Sequence, residues 1–209
     1  MKLVEQSRQQ VGVVFLYDPL PLEKVSLDLL KADFPTVTSF LPDEEILTAE
    51  STEKKVWAQI FSSRTEFVDQ NVGGEFSLAD LKLVERLLSA LPPLQVKSFG
   101  VNLHVRGTAE GYEVAGRYVT ENFLKSPDAL EEKLGAKIIA SAQRFSYGDV
   151  AKYYDVRITP EELSGPLLHL QMHRHVDLQV SESQRLFEAT EAAFSESLIE
   201  LGRIIKLLP

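Results

Sequence analysis

The chain has 209 residues, enough to bury about 70% of the surface that its unfolded form exposes, so it can build a hydrophobic core without disulfides or metals. Apolar residues make up 44% and charged residues 25%, close to globular usage, which excludes a disordered or fibrous chain. The 31 acidic residues outnumber the 22 basic ones and give a net charge of −9, which disfavours binding to nucleic acid or to an anionic membrane.

The lack of cysteine and of a long apolar segment near the N-terminus narrows the class of protein further. The chain has no cysteine, which excludes disulfides, thiolate metal ligands and thiol nucleophiles. The longest apolar stretch near the N-terminus, residues 11–17, is far shorter than the ~20 residues that cross a bilayer. We therefore expect a soluble, cytoplasmic protein that does not bind membranes.

The first third of the chain predicts strands with one short helix. Residues 11–17 are β-branched and aromatic, which is typical of a strand. Apolar residues at helical spacing follow over 22–30 and predict a short helix. Residues 36–55 carry several acids among Ser and Thr, which predicts weak edge strands and a solvated acidic loop.

The middle of the chain predicts one long strand and one well-defined helix. Over residues 56–68 the side chains of Trp57, Phe61 and Phe67 share one parity, which predicts a single strand with those rings on its buried face. Further on, Ser77 and Asp80 have the spacing of a capping box, which predicts a helix start.

Alternation also marks the next strand. Over 99–106 the odd positions are apolar and the even positions are Gly, Asn, His and Arg, as expected for a strand with one buried face. Residues 112–124 fit either a strand or a helix. A proline at 127 and a glycine at 135 predict the first turn and the end of a helix between them.

The last third predicts a hairpin, a long strand and a long helix. Gly148 and Asp149 separate two β-like runs, which predicts an antiparallel hairpin. A capping pattern from Thr159 predicts one turn of helix. Residues 167–180 alternate as a strand, and 181–208 carry an apolar stripe at helical spacing.

These elements together predict an α+β fold. We expect a curved antiparallel sheet covered by long amphipathic helices, in which each half of the chain needs a cover for its sheet and a partner for its helix stripe. The order of elements suggests two similar αβββα-like halves, residues 11–110 and 111–209. Because no boundary with few crossing contacts is visible, we expect residues 1–209 to form a single domain.

The strand over 167–180 carries the sharpest local feature of the sequence. Strand alternation places its odd-numbered side chains on one face, and these include three of the four histidines of the chain. The set is His169, Gln171, His173, His175, Asp177 and Gln179. Arg174 interrupts the opposite, apolar face, which indicates either an end position where its guanidinium reaches solvent or a contact with an anion.

One interpretation of this polar face is a divalent transition metal site. A His-x-His pair on a strand can chelate one ion, so His173 and His175 are the candidate ligands, with Asp177 or His169 as a more distant third. Ligands from other segments would be one of His104, Glu66 and Asp155. The other interpretations are a solvated or partner-facing polar surface and an interface whose histidines titrate between pH 5 and 8.

The function that we expect from these patterns is binding or assembly without catalysis. The sequence has no nucleophile elbow, no phosphate-binding loop and no dinucleotide fingerprint. The polar strand face or a free sheet edge would then recognise a partner protein or a second copy of the chain, and no nucleic acid. The alternatives are a metal-dependent enzyme and a small-molecule pocket between sheet and helix that Trp57, Phe61 and several tyrosines line.

Overall fold

Nine antiparallel strands form one open sheet in the computed structural model, which describes residues 3–40, 45–73, 75–180 and 182–209. The strands are β1 (Leu3–Tyr17), β2 (Thr36–Phe40), β3 (Ile46–Ser51), β4 (Val56–Phe61), β5 (Arg64–Asp69), β6 (Val96–Ala109), β7 (Gln143–Gly148), β8 (Lys152–Pro160) and β9 (Leu167–Val180). Their order across the sheet is β2-β3-β4-β5-β1-β6-β9-β8-β7, so β2 and β7 form its edges. The predicted α+β class with an antiparallel sheet is confirmed.

Five α-helices accompany the sheet within the described residues. They are α1 (Leu27–Asp33), α2 (Lys82–Ala90), α3 (Ala115–Phe123), α4 (Pro127–Leu134) and α5 (Ser183–Leu207). Helix α5 contacts β6, β9 and α2, whereas α3 contacts β6 and β8. The curvature of the sheet, the extent of its helical cover, the duplication of 11–110 in 111–209 and the single domain over 1–209 stay predictions.

The two faces of the sheet differ in burial. One face supplies Phe15, Phe67, Phe99 and Leu170 to a cluster of buried side chains that also includes Phe194 of α5. The side chains on the other face are mostly partly buried or exposed. We call the second face the open face; it holds Gln10, Trp57, Asn102, His104, Arg106 and the odd-numbered residues of β9.

Several predicted elements are confirmed with small shifts. Strand β6 extends the predicted strand at both ends, and β9 has the predicted bounds. Helix α4 begins at Pro127, and Gly135 ends it in the left-handed region at φ +64°. Helix α5 follows the predicted C-terminal helix, although the predicted first residue, Ser181, lies outside the described residues. In the β7–β8 hairpin the turn is longer than predicted, because Gly148 pairs with Tyr153.

The prediction of one long strand over 56–68 is wrong. The segment forms a hairpin of β4 and β5, in which Ile60 pairs with Thr65. A two-residue turn shifts the parity, because the side chains facing one way have odd numbers before it and even numbers after it. Phe67 is therefore completely buried, whereas Trp57 and Phe61 lie on the open face and are partly buried.

Two further predictions need correction. No helical turn forms at Thr159, because this residue pairs with His169 and β8 continues to Pro160. The sheet ladder therefore outweighs the local capping pattern. Strand β3 is an inner strand with Ala49 completely buried, so only β2 is the weak edge strand predicted for 36–55. The acidic residues 43 and 44 of the predicted loop lie outside the described residues.

Helix α4 is tied to the segment that follows it by one buried carboxylate. The Glu131 side chain is only 6% exposed and accepts hydrogen bonds from Lys137 Nζ at 2.7 Å, from the Ile138 backbone N–H at 2.9 Å and from Arg117 Nη1 at 3.0 Å. These donors, with Lys137 first, lower the pKa of Glu131 to about 2 from its ordinary value of 4.5.

We expect Glu131→Gln to destabilise the protein at pH 7 and to lose this effect in acid. Because the pKa of Glu131 is lower in the folded than in the unfolded state, its stabilisation is complete above about pH 4.5 and disappears as the pH falls towards 2. Thermal unfolding followed by circular dichroism at pH 7, 5 and 3 measures whether the stability of Glu131→Gln approaches that of the wild type as the pH falls. Glu132→Gln, at an exposed neighbour, is the control. A gap between Glu131→Gln and the wild type that stays constant with pH would contradict the assignment.

Candidate functional site

The structure divides the polar residues of β9 between two places on the open face. His173 pairs across the sheet with Asn102 of β6 and Asp155 of β8, whereas His169 pairs with Arg106 and Thr159. Gln171 lies between the two histidines in the strand, and Asp177 and Gln179 near its end are exposed. The middle of β9 thus holds one cluster, formed around His173 and His175. A second cluster lies around His169, near the N-terminal end of the strand.

In the middle cluster, His173 packs across β6. Its Nδ1–H donates to Asn102 Oδ1 at 2.8 Å, and its ring lies over Gly100, where an added Cβ would overlap Cε1. Burial lowers the pKa of His173, and the neighbouring His175 lowers it further. This imidazole is therefore a neutral group that fills the space above a glycine.

His175 completes the middle cluster. Its ring stacks on Tyr153 with centroids 4.8 Å apart and an interplanar angle of 21°, and its Nε2–H donates to Asp177 Oδ1 at 2.8 Å. Each of the two imidazoles thus makes one hydrogen bond to a neighbour on the same face, His173 through Nδ1 and His175 through Nε2.

The geometry gives the metal hypothesis no support. The ring centroids of His173 and His175 are 6.4 Å apart. The carboxylate of Asp155 pairs with Arg144, and that of Glu66 pairs with Arg64. Across the described residues, no three His, Asp or Glu side chains are arranged to hold a metal ion. The site of His173, His175 and Asp177 stays a prediction of the sequence.

A cleft of about 460 Å³ lies at the other end of this face. It is lined by residues of several strands, among them Gln10, Glu50, Trp57, His104, Arg106 and His169. It lies beside the end of β5, whose last paired residue is Asp69, so that Gln10 of β1 pairs with His104 of β6 but has no partner in β5. The volume lies within the range of ligand sites in proteins.

Two histidines form one wall of this cleft. The rings of His104 and His169 meet edge to face with centroids 5.1 Å apart. Burial, and then the nearby His169, lower the pKa of His104 to about 4, and burial also lowers the pKa of His169. Both imidazoles are therefore neutral at neutral pH. The buried Nε2 of His169 has no hydrogen-bond partner among the described residues.

The charges around the cleft cancel. Two cationic side chains, Lys55 and Arg106, and two acidic ones, Glu50 and Glu161, line it. Arg106 already pairs with Glu161. Since binding of a phosphate depends on unpaired Arg and Lys side chains, this arrangement favours an uncharged ligand over an anionic one.

Sequence reasoning missed the cleft because its residues come from distant segments. The sequence alone indicates His104 only as an additional metal ligand, and Trp57 as part of a pocket between sheet and helix. The structure instead places Trp57 on the open face, opposite the side of the sheet that α5 packs against, and Phe61 is not among the cleft residues. The half-polar alternation of β6 was the available signal, since it already put His104 on a polar face.

Arg174 lies on the opposite face of β9, where its side chain packs between the sheet and α5. Its side chain is only 11% exposed, so the predicted solvent-reaching end position is wrong. The guanidinium pairs with Glu196 of α5, hydrogen-bonds to the Tyr154 hydroxyl and lies 4.9 Å from the Tyr154 ring centroid. This cation therefore fastens α5 to the sheet.

Comparison with known proteins adds little to this picture. No protein-family model matches the chain, and no curated protein matches it. A solved structure to which it is similar is TBP from Methanococcus jannaschii, at 12% sequence identity and a TM-score of 0.40, over 92% of this chain and 99% of the other. A likeness this weak carries no argument about function. In the described part of the chain, no helix is both long enough and apolar enough to cross a membrane.

Proposed function

We propose that this protein is a non-catalytic recognition protein whose open face binds an extended segment of a partner protein. The cleft between Trp57 and the pair His104 and His169 carries the proposal, because it is a recess in a polar sheet face lined by side chains of five or more segments. A cytoplasmic location and the absence of a nucleic-acid partner remain parts of the same prediction.

The chemistry of the open face supports a peptide as the ligand. Gln10, Gln70 and Thr52 offer uncharged donors and acceptors in the cleft, and the imidazoles beside them are neutral. Such groups match the amide groups of a peptide backbone, which also carry no charge. Elsewhere on the face, the cations Arg64 and Arg144 are engaged by carboxylates, which reduces their attraction for a phosphate backbone.

Strand addition at an edge is the competing mode of protein recognition. Within the described residues, strands β2 and β7 have no neighbour on their outer sides, and an extended peptide or the same strand of a second copy can pair with such an edge. The open face is favoured because its cleft adds a recess of about 460 Å³, into which a side chain of the partner can insert.

The test is a selection of random displayed peptides on the purified full-length protein, followed by amide chemical-shift mapping of the bound site. We expect selected peptides to shift the signals of Gln10, His104 and Arg106, and Trp57→Ala to weaken their binding at least tenfold. Ile199→Ala, which removes a large exposed side chain from α5, is the matched control and should leave binding unchanged.

The outcomes separate the two modes. Shifts confined to β7 or β2, with binding unaffected by Trp57→Ala, would replace the open face with an edge as the recognition surface. Light scattering that detects a stable dimer would assign that edge to a second copy of the chain. A selection that yields no peptide bound on the open face would overturn the proposed function.

A further inference from the structure

We propose that the cleft holds an aromatic side chain with a hydrogen-bonding tip, a tyrosine or tryptophan of the partner segment, as the main anchor of the complex. This inference rests on the proposed function and names the chemical class that the recess accepts. Its basis is the combination of three ring systems, uncharged polar groups and cancelled charges within one cleft of about 460 Å³.

The rings come from both sides of the cleft. The indole of Trp57 is partly exposed on β4, whereas the imidazoles of His104 and His169 project from β6 and β9. Aromatic rings associate in offset or edge-to-face arrangements, and the His104–His169 pair already adopts the second of these. An inserted ring can therefore pack against the indole or against the imidazole pair in a geometry that an aliphatic side chain cannot adopt.

The polar groups explain why the anchor should carry a polar tip. Gln10, Gln70 and Thr52 line the same recess. A ligand hydroxyl can donate to or accept from these amide and hydroxyl groups, and an indole N–H can donate to their oxygens. Tyrosine and tryptophan combine an apolar ring with one such group, whereas phenylalanine has none.

The charges disfavour the charged relatives of this anchor. Lys55 and Arg106 are balanced by Glu50 and Glu161, and Arg106 is paired with Glu161. A phosphotyrosine would find Arg106 already paired, and an arginine anchor would meet two cations as well as two carboxylates, so neither gains a net charge attraction. Phosphorylation of the anchoring tyrosine should therefore weaken the complex.

The experiment uses two small probes on the full-length protein, N-acetyl-tyrosinamide and, as its matched control, N-acetyl-leucinamide. At millimolar concentration we expect the tyrosine probe, and not the leucine probe, to shift the amide signals of Gln10, His104 and His169. Trp57→Ala should abolish these shifts, whereas Ile199→Ala should preserve them. Equal shifts from the leucine probe would overturn the aromatic anchor.

The selected peptides supply the second measurement. One aromatic position should lose at least tenfold in affinity when changed to alanine on the wild-type protein, but less than twofold on Trp57→Ala, because the two substitutions remove the same contact. Peptides that bind the open face yet tolerate alanine at every aromatic position would overturn the anchor and leave the proposed function standing. The absence of open-face binding by any peptide would remove the proposed function itself.

Discussion

Replacement of Arg8 by methionine is expected to lower the free energy of unfolding by about 3–5 kcal/mol, the usual cost of removing one partner from a buried ion pair. The Arg8 side chain is 5% exposed, and its two terminal nitrogens reach Asp69 Oδ2 and Asp80 Oδ1, each at 2.7 Å. Both carboxylates are themselves largely buried, with 8% and 12% of their side chains exposed. The variant would leave two buried acids without their cation.

The position of this cation makes the effect structural as well as electrostatic. Arg8 belongs to β1, Asp69 ends β5, and Asp80 lies in the short 3-10 helix Leu78–Leu81 that precedes α2. The guanidinium also lies 5.6 Å from the centroid of the Phe76 ring. Because Gln10 follows two residues later, the same ion pairs fix the segment of β1 that lines the cleft.

Urea unfolding at pH 7 measures the predicted loss. Arg64→Met is the matched control, because the pair of Arg64 with Glu66 is more exposed and should contribute about 1 kcal/mol or less. The double variant Arg8→Met with Asp80→Asn should recover part of the stability, since one buried charge disappears together with the cation. A loss below about 1 kcal/mol for Arg8→Met would show that the two acids find other partners, and would contradict the prediction.

The strands that face a packed core on one side were predictable from the sequence. In β6 the apolar residues recur at every second position over 99–105, and in β9 they do so over 168–180 with Arg174 as the one interruption, a period that is typical of a strand. Helix α4 was predictable for a similar local reason, because proline at its start and glycine after its end act within a few residues. Signals of this kind need no knowledge of distant parts of the chain.

The cleft was not predictable, because it depends on the order of strands. Trp57 and His104 approach the same recess since β1 lies between β5 and β6, an arrangement that no local pattern specifies. The turn between β4 and β5 was also hidden, because Ser62 and Ser63 form it without glycine, proline or asparagine. The sequence therefore predicted a single strand over 56–68 and the wrong face for Trp57. Once Trp57 was assigned to a buried face, it could not be considered as a wall of an open site.

The role of His173 depended on another non-local fact, the register between β6 and β9. The pairing of Asn102 with His173 places Gly100 diagonally beneath the imidazole, so the ring occupies the space that a side chain at position 100 would fill. The sequence shows a glycine in one strand and a histidine in another, and only the register joins them. The contacts of His173 in this structure are those of packing, and its role as a metal ligand stays a prediction.

This packing role leads to the second large effect, an expected loss of about 1–3 kcal/mol of unfolding free energy in Gly100→Ala, as is usual for overpacking. The added methyl would overlap Cε1 of His173, so the ring must rotate away and give up its hydrogen bond to Asn102 Oδ1. Urea unfolding of Gly100→Ala gives the size of the effect. Gly202→Ala is the control, because no atom lies within 4 Å of the Cβ position in that helical glycine.

A double-mutant cycle shows whether the two residues act on each other. In the background of His173→Ala the ring is absent, so Gly100→Ala should cost at least 1 kcal/mol less than in the wild type, because its methyl enters vacant space. Equal costs in both backgrounds would mean that the strain arises elsewhere in β6. If His173 were instead a metal ligand, added Zn²⁺ would stabilise the wild type more than Gly100→Ala, whereas the packing role predicts that Zn²⁺ changes neither.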